Sequence, residues 1–472
     1  MRKSKGMARL LGLFDASFLV IGSVIGSGIF LTSGLIAGLL PYSGLIWAAW
    51  IIGGIITVTG ALCYGELGAM FPRAGGPYVY LREAYGKAPA FLYGWTFFFL
   101  IGGAGLAAIS IGFAEYLGAA LPFLKCAESI FGMNLFGFRL EVTVGQIIAV
   151  LAVVGLTFFN SLGLRRSARG QTVLTIVRII ILGVLIAAGI AYGIKTRAVN
   201  LSPIFPVSGL WPSWSAWGVA LITVLWSFDG WYAANCTAEE IRDPGRTIPR
   251  ALILGTTSVL FLYLAVNIVY SLAIPMAQMR GTVRVGEAAV FAMAGPSIAP
   301  FFSGVVALTI FGCLSANIFF CARVPYAMAR DGLFFRVLGG LSPRTNIPVQ
   351  ALAAQAVVSS MLSLSGTFEK LIDLVLFGLV LFFAATGAAV IVLRKKAPSA
   401  GRPYRRLRAY PLLPVVFAAV NAAVFVGLVF EHPGRAAVAL GLMAVGLPAY
   451  LIWNKRTLRA SGESPDRPGG GR

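Results

Sequence analysis

About twelve apolar stretches, each of ~20 residues or more, alternate with short polar loops along the chain. That alternation restricts the fold more than any other feature. A segment of this length and composition suits a helix across a bilayer, where each backbone N–H and C=O must be satisfied within the segment. The stretches fall near 10–40, 44–71, 90–121, 142–160, 171–194, 214–238, 251–274, 300–329, 348–365, 371–393, 412–430 and 436–453. Only 12% of residues are charged and 58% are hydrophobic, against about 25% charged in soluble domains. The chain is therefore read as an all-α polytopic membrane protein with twelve transmembrane helices. The basic head, 1–9, precedes an apolar run without a small-residue cleavage pattern, so 10–40 reads as the first span and not as a signal peptide. Residues 286–299 read as a short amphipathic helix outside the bilayer, and the tail 455–472, ending SGESPDRPGGGR, as disordered.

Two spans are interrupted at residues that disfavour continuous helix. The first carries Gly22-Ser23-Val24-Ile25-Gly26-Ser27-Gly28, and the sixth carries Trp226-Ser227-Phe228-Asp229-Gly230. Asp15 and Asp229 are the single charged residues of these two spans. Lipid offers no partner to freed backbone groups, so an unwound segment lines a protein cavity. Two such breaks in corresponding positions of two half-chains point to a transporter's substrate site. After the first break, the N–H groups of the second half-helix suit a carboxylate. Before the second, carbonyls near Trp226 to Phe228 suit an ammonium. Together they match the main chain of an α-amino acid. Close helix packing through Gly22 and Gly26 is the competing reading of the glycines. A structural bond to frayed backbone competes with a substrate or gate role for Asp229.

The net charge of +21 does not indicate nucleic acid, because the basic residues sit in loops between spans. With both termini on one side, that side collects 28 of the 38 Lys and Arg residues, and the other collects eight. By the positive-inside rule both termini are cytoplasmic, and the basic loops meet anionic lipid. The five cysteines show no CxxC spacing, and the single histidine, His432, lies in a loop. No metal site, cofactor or enzymatic constellation is expected.

The stretch WSFDGWYAANCTAEEIRDPGRTIP (226–249) resembles the sixth span and following loop of L-type amino acid transporters, in the amino acid–polyamine–organocation superfamily. Residues 22–30 are similar to the family's first-span motif, YGELGAMFPRAGGPYVYLREAYG (64–86) to its second span and loop, and RVPYAMARDGL (323–333) to the end of its eighth. The resemblance implies a leucine-transporter-like fold: a five-plus-five inverted repeat over 10–194 and 214–395, broken helices one and six, and two further helices over 410–454. It implies sodium-independent movement of amino acids by alternating access. Residue by residue, Ser23, Val24, Ile25, Gly26, Ser27 and Gly28 would meet the substrate carboxylate. Trp226, Ser227, Phe228, Asp229 and Gly230 would meet its ammonium and side chain, with Trp226 at a gating position. Arg178 stands where the family often has Lys, bracing the first break with a charge that does not titrate at physiological pH. Glu239 and Glu240 are expected in ion pairs of the cytoplasmic gate, with Arg323 or Arg330 as partners. In animal members a loop cysteine near Cys126 links to a partner glycoprotein. Here short termini and an Ala/Gly/Arg-rich composition look bacterial, so no obligatory heavy-chain partner is expected. The reading is an exchanger or facilitator of neutral amino acids in a bacterial inner membrane. A proton-coupled symporter for cationic amino acids or amines, with Asp229 pairing the extra charge, is the alternative.

Overall fold

The computed structural model describes residues 6–135, 138–197, 199–201, 203–206, 211–365, 368–397 and 409–461. The tail expectation beyond Ser461 lies outside these residues. Within them the molecule is an α-helical membrane bundle. Nine described helices are long and apolar enough to cross a membrane, or ten when a bent pair counts as one span. That pair, Leu13–Val24 and Gly28–Leu39, is span one, bent by 43° at a three-residue break. Spans two to five are Ser43–Met70, Lys87–Ala120, Val144–Ser161 and Leu164–Lys195. Span seven is Pro244–Ala273, span eight Pro300–Arg330, and span eleven Leu412–Glu431. Trp214–Ser227 (span six) and Val349–Ser365 (span nine) are shorter apolar helices. With span ten, Phe368–Lys396, and span twelve, split into Pro433–Ala444 and Gly446–Ser461, they complete the twelve segments.

Span one packs against spans five and seven, span two against span seven, and span three against span eight. Glycines allow several of these approaches. A Cβ on Gly255 of span seven would sit 2.5 Å from Val20 Cγ1, and one on Gly53 of span two would press into Val224 of span six. In lipid, such small residues let helices approach closely enough for dispersion to hold them.

The structure departs from the sequence expectations in several places. Ser129–Leu135 pairs antiparallel with Phe138–Thr143 between spans three and four. Span three contains a wide π-helical stretch, Phe97–Ala104, with three Phe at its start and Gly102 and Gly103 near its end. Span five begins at Leu164, so the basic residues Arg165, Arg166 and Arg169 belong to the helix. The polar segment after span two holds a helix, Pro77–Tyr85, started by a proline in its first turn. Residues 455–461, expected in a disordered tail, extend the last helix, because Lys, Arg, Leu and Ala favour helix. The amphipathic segment is helical only over Val285–Ala294 and packs on span one, with Gly286 facing Phe30.

Candidate functional site

The first break is a short extended kink at Ile25, with φ −70° and ψ 94°. Helix Leu13–Val24 ends there with four carbonyls that lack helical partners, as any helix C-terminus does. Side chains from three other spans satisfy them. Arg178 of span five donates through Nη1 to the Gly22 carbonyl and, at 3.1 Å, to Ile25 O. Asn317 Nδ2 (3.0 Å) and Cys313 Sγ (3.2 Å) of span eight donate to Ser23 O. Tyr263 of span seven donates its hydroxyl to Val24 O at 2.9 Å. Across the break, the N–H groups of Ser27, Gly28 and Ile29 find no acceptor of ordinary geometry among the described residues. The first break thus has its carbonyls covered and its N–H groups uncovered, which gives it a positive local character.

The second break has the opposite polarity. Helix Trp214–Ser227 ends in a turn, with Phe228 N–H donating to Val224 O and Asp229 N–H to Trp226 O. Among the described residues, the carbonyls of Ser227, Phe228 and Asp229 accept no hydrogen bond of ordinary geometry. Asp229 Oδ1 is sealed from solvent without a partner. Its polar neighbours are the Gly230 backbone and Tyr232, and no ion pair reaches Asp229 among the described residues. Gly230 has φ +95°, a conformation that needs a residue without Cβ, and a Cβ there would lie 2.8 Å from Ser23 O. The chain then re-enters helix over only Ala233–Cys236 and a 3-10 turn, Ala238–Glu240.

The breaks touch each other on two levels. The Ser23 hydroxyl lies 2.9 Å from Gly230 O, and Thr32 Oγ1 shares a hydrogen bond of 2.9 Å with Ser227 Oγ. A Cβ on Gly28 would fall 2.7 Å from Ser227 Cα. Beyond this contact a vestibule of about 390 Å³ opens on the side away from the termini. Thr32, Thr223 and Trp226 line it nearest the breaks, and Glu115, Glu431, His432 and Arg435 line its mouth. On the terminal side the path is closed. Tyr64 and Trp231 stack edge to face at 4.6 Å, and Phe383 and Phe417 pack around them. Asn235 ties this layer together by donating to Tyr64 O and Tyr80 Oη, both at 2.8 Å. Further out, Arg323 meets Glu240 at 2.8 Å in a fully buried pair, and Arg394 binds both carboxylate oxygens of Glu66 at 2.8 and 2.6 Å.

Ser23 to Gly28 and Trp226 to Gly230 therefore converge, and Arg178 joins them from span five. Glu239 and Glu240 do not, because they stand at the terminal face. Only Glu240 pairs with Arg323. Glu239 accepts the Met7 N–H at 3.0 Å, and Arg330 donates to the Tyr326 hydroxyl at 2.9 Å. Sequence reading missed Tyr263, Cys313 and Thr32, because a buried hydroxyl or thiol in an apolar span looks like ordinary core until its partner is known. Of the polar residues of span eight, Asn317 reaches the first break. Ser315 instead accepts from Gln171 at 2.6 Å and Asn160 at 3.2 Å in the scaffold.

Comparison with known proteins agrees with this architecture. The family model for the amino acid permease matches residues 11–449. Mouse b(0,+)-type amino acid transporter 1 is 26% identical over 91% of this chain and 85% of its own length. Human large neutral amino acids transporter small subunit 2 is 28% identical over 94% of this chain and 80% of its own. Mouse Asc-type amino acid transporter 1 is 28% identical over the same shares. One expectation is overturned here: a chain of this kind was read as having no obligatory heavy-chain partner, yet the human relative is named as the small subunit of a larger assembly. The short termini and composition behind that expectation carry no information about a partner's docking face. The chain spans the membrane many times, its relatives are named as amino acid transporters, and it belongs to the amino acid permease family.

Proposed function

We propose that this protein is a sodium-independent exchanger or facilitator of neutral L-amino acids, working by alternating access across a bacterial inner membrane with both termini cytoplasmic. One observation carries the reading: the breaks have opposite uncovered polarity, N–H groups at Ser27 to Ile29 and carbonyls at Ser227 to Asp229. A carboxylate suits the first pole and an ammonium the second. Arg178 supports sodium independence, because its guanidinium already holds carbonyls of the first break with a permanent charge. In this reading, residues 10–194 and 214–395 are two inverted five-helix repeats. Spans one, two, six and seven rock as a unit against the rest, and Trp226 covers the substrate from the vestibule. The outward vestibule and the closed terminal side correspond to one end of that cycle.

Counterflow in proteoliposomes with a panel of amino acids tests this directly. Uptake of labelled leucine or alanine without sodium or a pH gradient is the expected outcome, confined to vesicles preloaded with amino acid for an exchanger and also seen in empty vesicles for a facilitator. Uptake that requires either gradient overturns it.

A second reading is favoured by Asp229, whose Oδ1 is buried without a partner. A cationic side chain or an amine would supply the missing charge, and proton coupling would supply a proton instead. Asp229→Asn separates the readings. Retained leucine counterflow fits the neutral substrate, and selective loss of lysine, arginine or amine flux fits the cationic one.

A further inference from the structure

Arg178 is the largest charged side chain enclosed within the bundle beside a break, and it is only 1% exposed. A guanidinium is planar and wide, so a buried one needs a flat slot on both faces and at its edges. Two glycines on different spans supply that slot. A Cβ on Gly312 of span eight would stand 3.1 Å from Arg178 Nη2 and 3.2 Å from its Cζ. A Cβ on Gly22 of span one would stand 3.2 Å from the same Nη2 and press into Thr175 Oγ1. Within span five, Leu174 O accepts Arg178 Nε at 3.0 Å and Thr175 Oγ1 accepts Nη2 at 3.2 Å. Nε and Nη2 therefore hold the head to its own helix, and Nη1 faces Gly22 O and Ile25 O.

Gly312 makes no bond to the break and has no side chain to meet substrate. What it contributes is the vacancy that leaves room for Nη2 and Cζ while Nη1 rests on the two carbonyls. We infer that Gly312 is a positioning residue, which sets the first break for substrate by shaping a guanidinium-sized slot around Arg178. This rests on the proposed reading of the first break as half of the substrate site. The slot also gives a physical reason for arginine at this position. Lysine has no Cζ fork to fill the space between Gly22 and Gly312, and its point charge cannot span Gly22 O and Ile25 O while also holding Leu174 O.

A slot of this kind makes the two positions non-additive. Gly312→Ala brings a methyl group against Nη2 and Cζ, two atoms that Arg178→Lys removes. Gly312→Ala and Arg178→Lys are made singly and together, and each protein is read in two ways. The melting temperature of the substrate-free protein in detergent reports the slot without any assumption about substrate. Initial counterflow rates across substrate concentrations report its effect on transport. Gly312→Ala in the native background is expected to lower the melting temperature by several degrees and raise the apparent KM at least fivefold. In the Arg178→Lys background it is expected to change KM less than twofold and melting little.

Equal losses in both backgrounds overturn the proposal, since Gly312 is then a packing residue acting through Leu174, whose Cβ also lies 3.2 Å away. Coupling in melting without coupling in counterflow overturns the role in substrate positioning. Absence of amino acid counterflow in the native protein overturns the functional reading instead, and the melting cycle then decides the slot alone.

Discussion

The hydroxyl of Ser23 lies 2.9 Å from the carbonyl oxygen of Gly230, a direct hydrogen bond from the broken first span to the broken sixth. The same hydroxyl is within 2.8 Å of Leu19 O and 3.0 Å of Val20 O in its own helix. One proton serves three acceptors, so the bond between spans has a local substitute. Ser23→Ala is accordingly expected to cost only about 0.5–1.5 kcal/mol in thermal or denaturant stability. Gly230→Ala faces two obstacles: φ of +95° and a methyl group 2.8 Å from Ser23 O. The strain is about 1–3 kcal/mol before the clash is counted. Counterflow is expected to fall modestly for Ser23→Ala and by more than tenfold for Gly230→Ala. Equal behaviour of the two variants would mean that the breaks are not coupled through this contact.

Arg178 satisfies two of the four carbonyls that the first break exposes. Arg178→Ala leaves them unpaired in a cavity lined by Cys313, Thr175 and Gly312. An unsatisfied buried carbonyl costs about 1–3 kcal/mol, so at least tenfold slower counterflow is expected. Because arginine keeps its proton, transport through the native protein should not acidify proteoliposomes through this group. Intact counterflow in Arg178→Ala would sink the bracing role. Stoichiometric acidification that the substitution abolishes would show that the residue carries protons.

Much of the fold can be read directly from the order of residues. Apolar length specifies the spans, and Gly26-Ser27-Gly28 or Asp229-Gly230 in mid-span announces a break, because lipid penalises both. What cannot be read there is pairing across distance. Tyr263 reaches Val24 over 239 positions and Asn317 reaches Ser23 over 294. Nothing local to either residue marks it, since a tyrosine or asparagine in a span also serves as an interhelical contact. The hairpin of Ser129–Leu135 with Phe138–Thr143 escaped for another reason: no Asn-Gly, Asp-Gly or Gly-Gly dipeptide marks a turn in the sequence SIFGMNLFGFRLEVT. Arg323 was recognisable as a partner for Glu240, but sequence alone could not separate Glu240 from its neighbour Glu239.

That separation has an energetic consequence. Arg323 and Glu240 are 0% and 1% exposed, and Arg323 also stacks over Phe319 at 3.8 Å. Removing one partner of a buried pair strands the other, at about 3–5 kcal/mol. Arg323→Met or Glu240→Gln alone is expected to lower the melting temperature sharply. The double variant is expected to recover much of the loss, because the stranded charge is gone. Among the described residues, Glu239 accepts a backbone N–H from Met7, in the segment that precedes span one, at 3.0 Å, so Glu239→Gln should melt close to the native protein. If Glu239→Gln destabilises as much as Glu240→Gln, the gate assignment at the terminal face is reversed.

Orientation is open to a chemical test through Cys126, because the other four cysteines, Cys63, Cys236, Cys313 and Cys321, are buried. Cys126 lies beyond span three, in the cavity wall shared with Lys125, Glu128 and Gln146, on the side away from the termini. Burial raises its thiol pKa above the ordinary value, and the reactive species is the thiolate. A raised pKa means less thiolate at neutral pH, so labelling by an impermeant maleimide should be slow at pH 7. It should accelerate as pH rises toward the thiol pKa, and it should disappear in Cys126→Ser. With cytoplasmic termini, reagent outside intact cells should label this residue, while reagent applied to inverted vesicles should not reach it. Labelling confined to inverted vesicles would reverse the orientation drawn from the basic loops. It would also place the open vestibule above Trp226 on the cytoplasmic side.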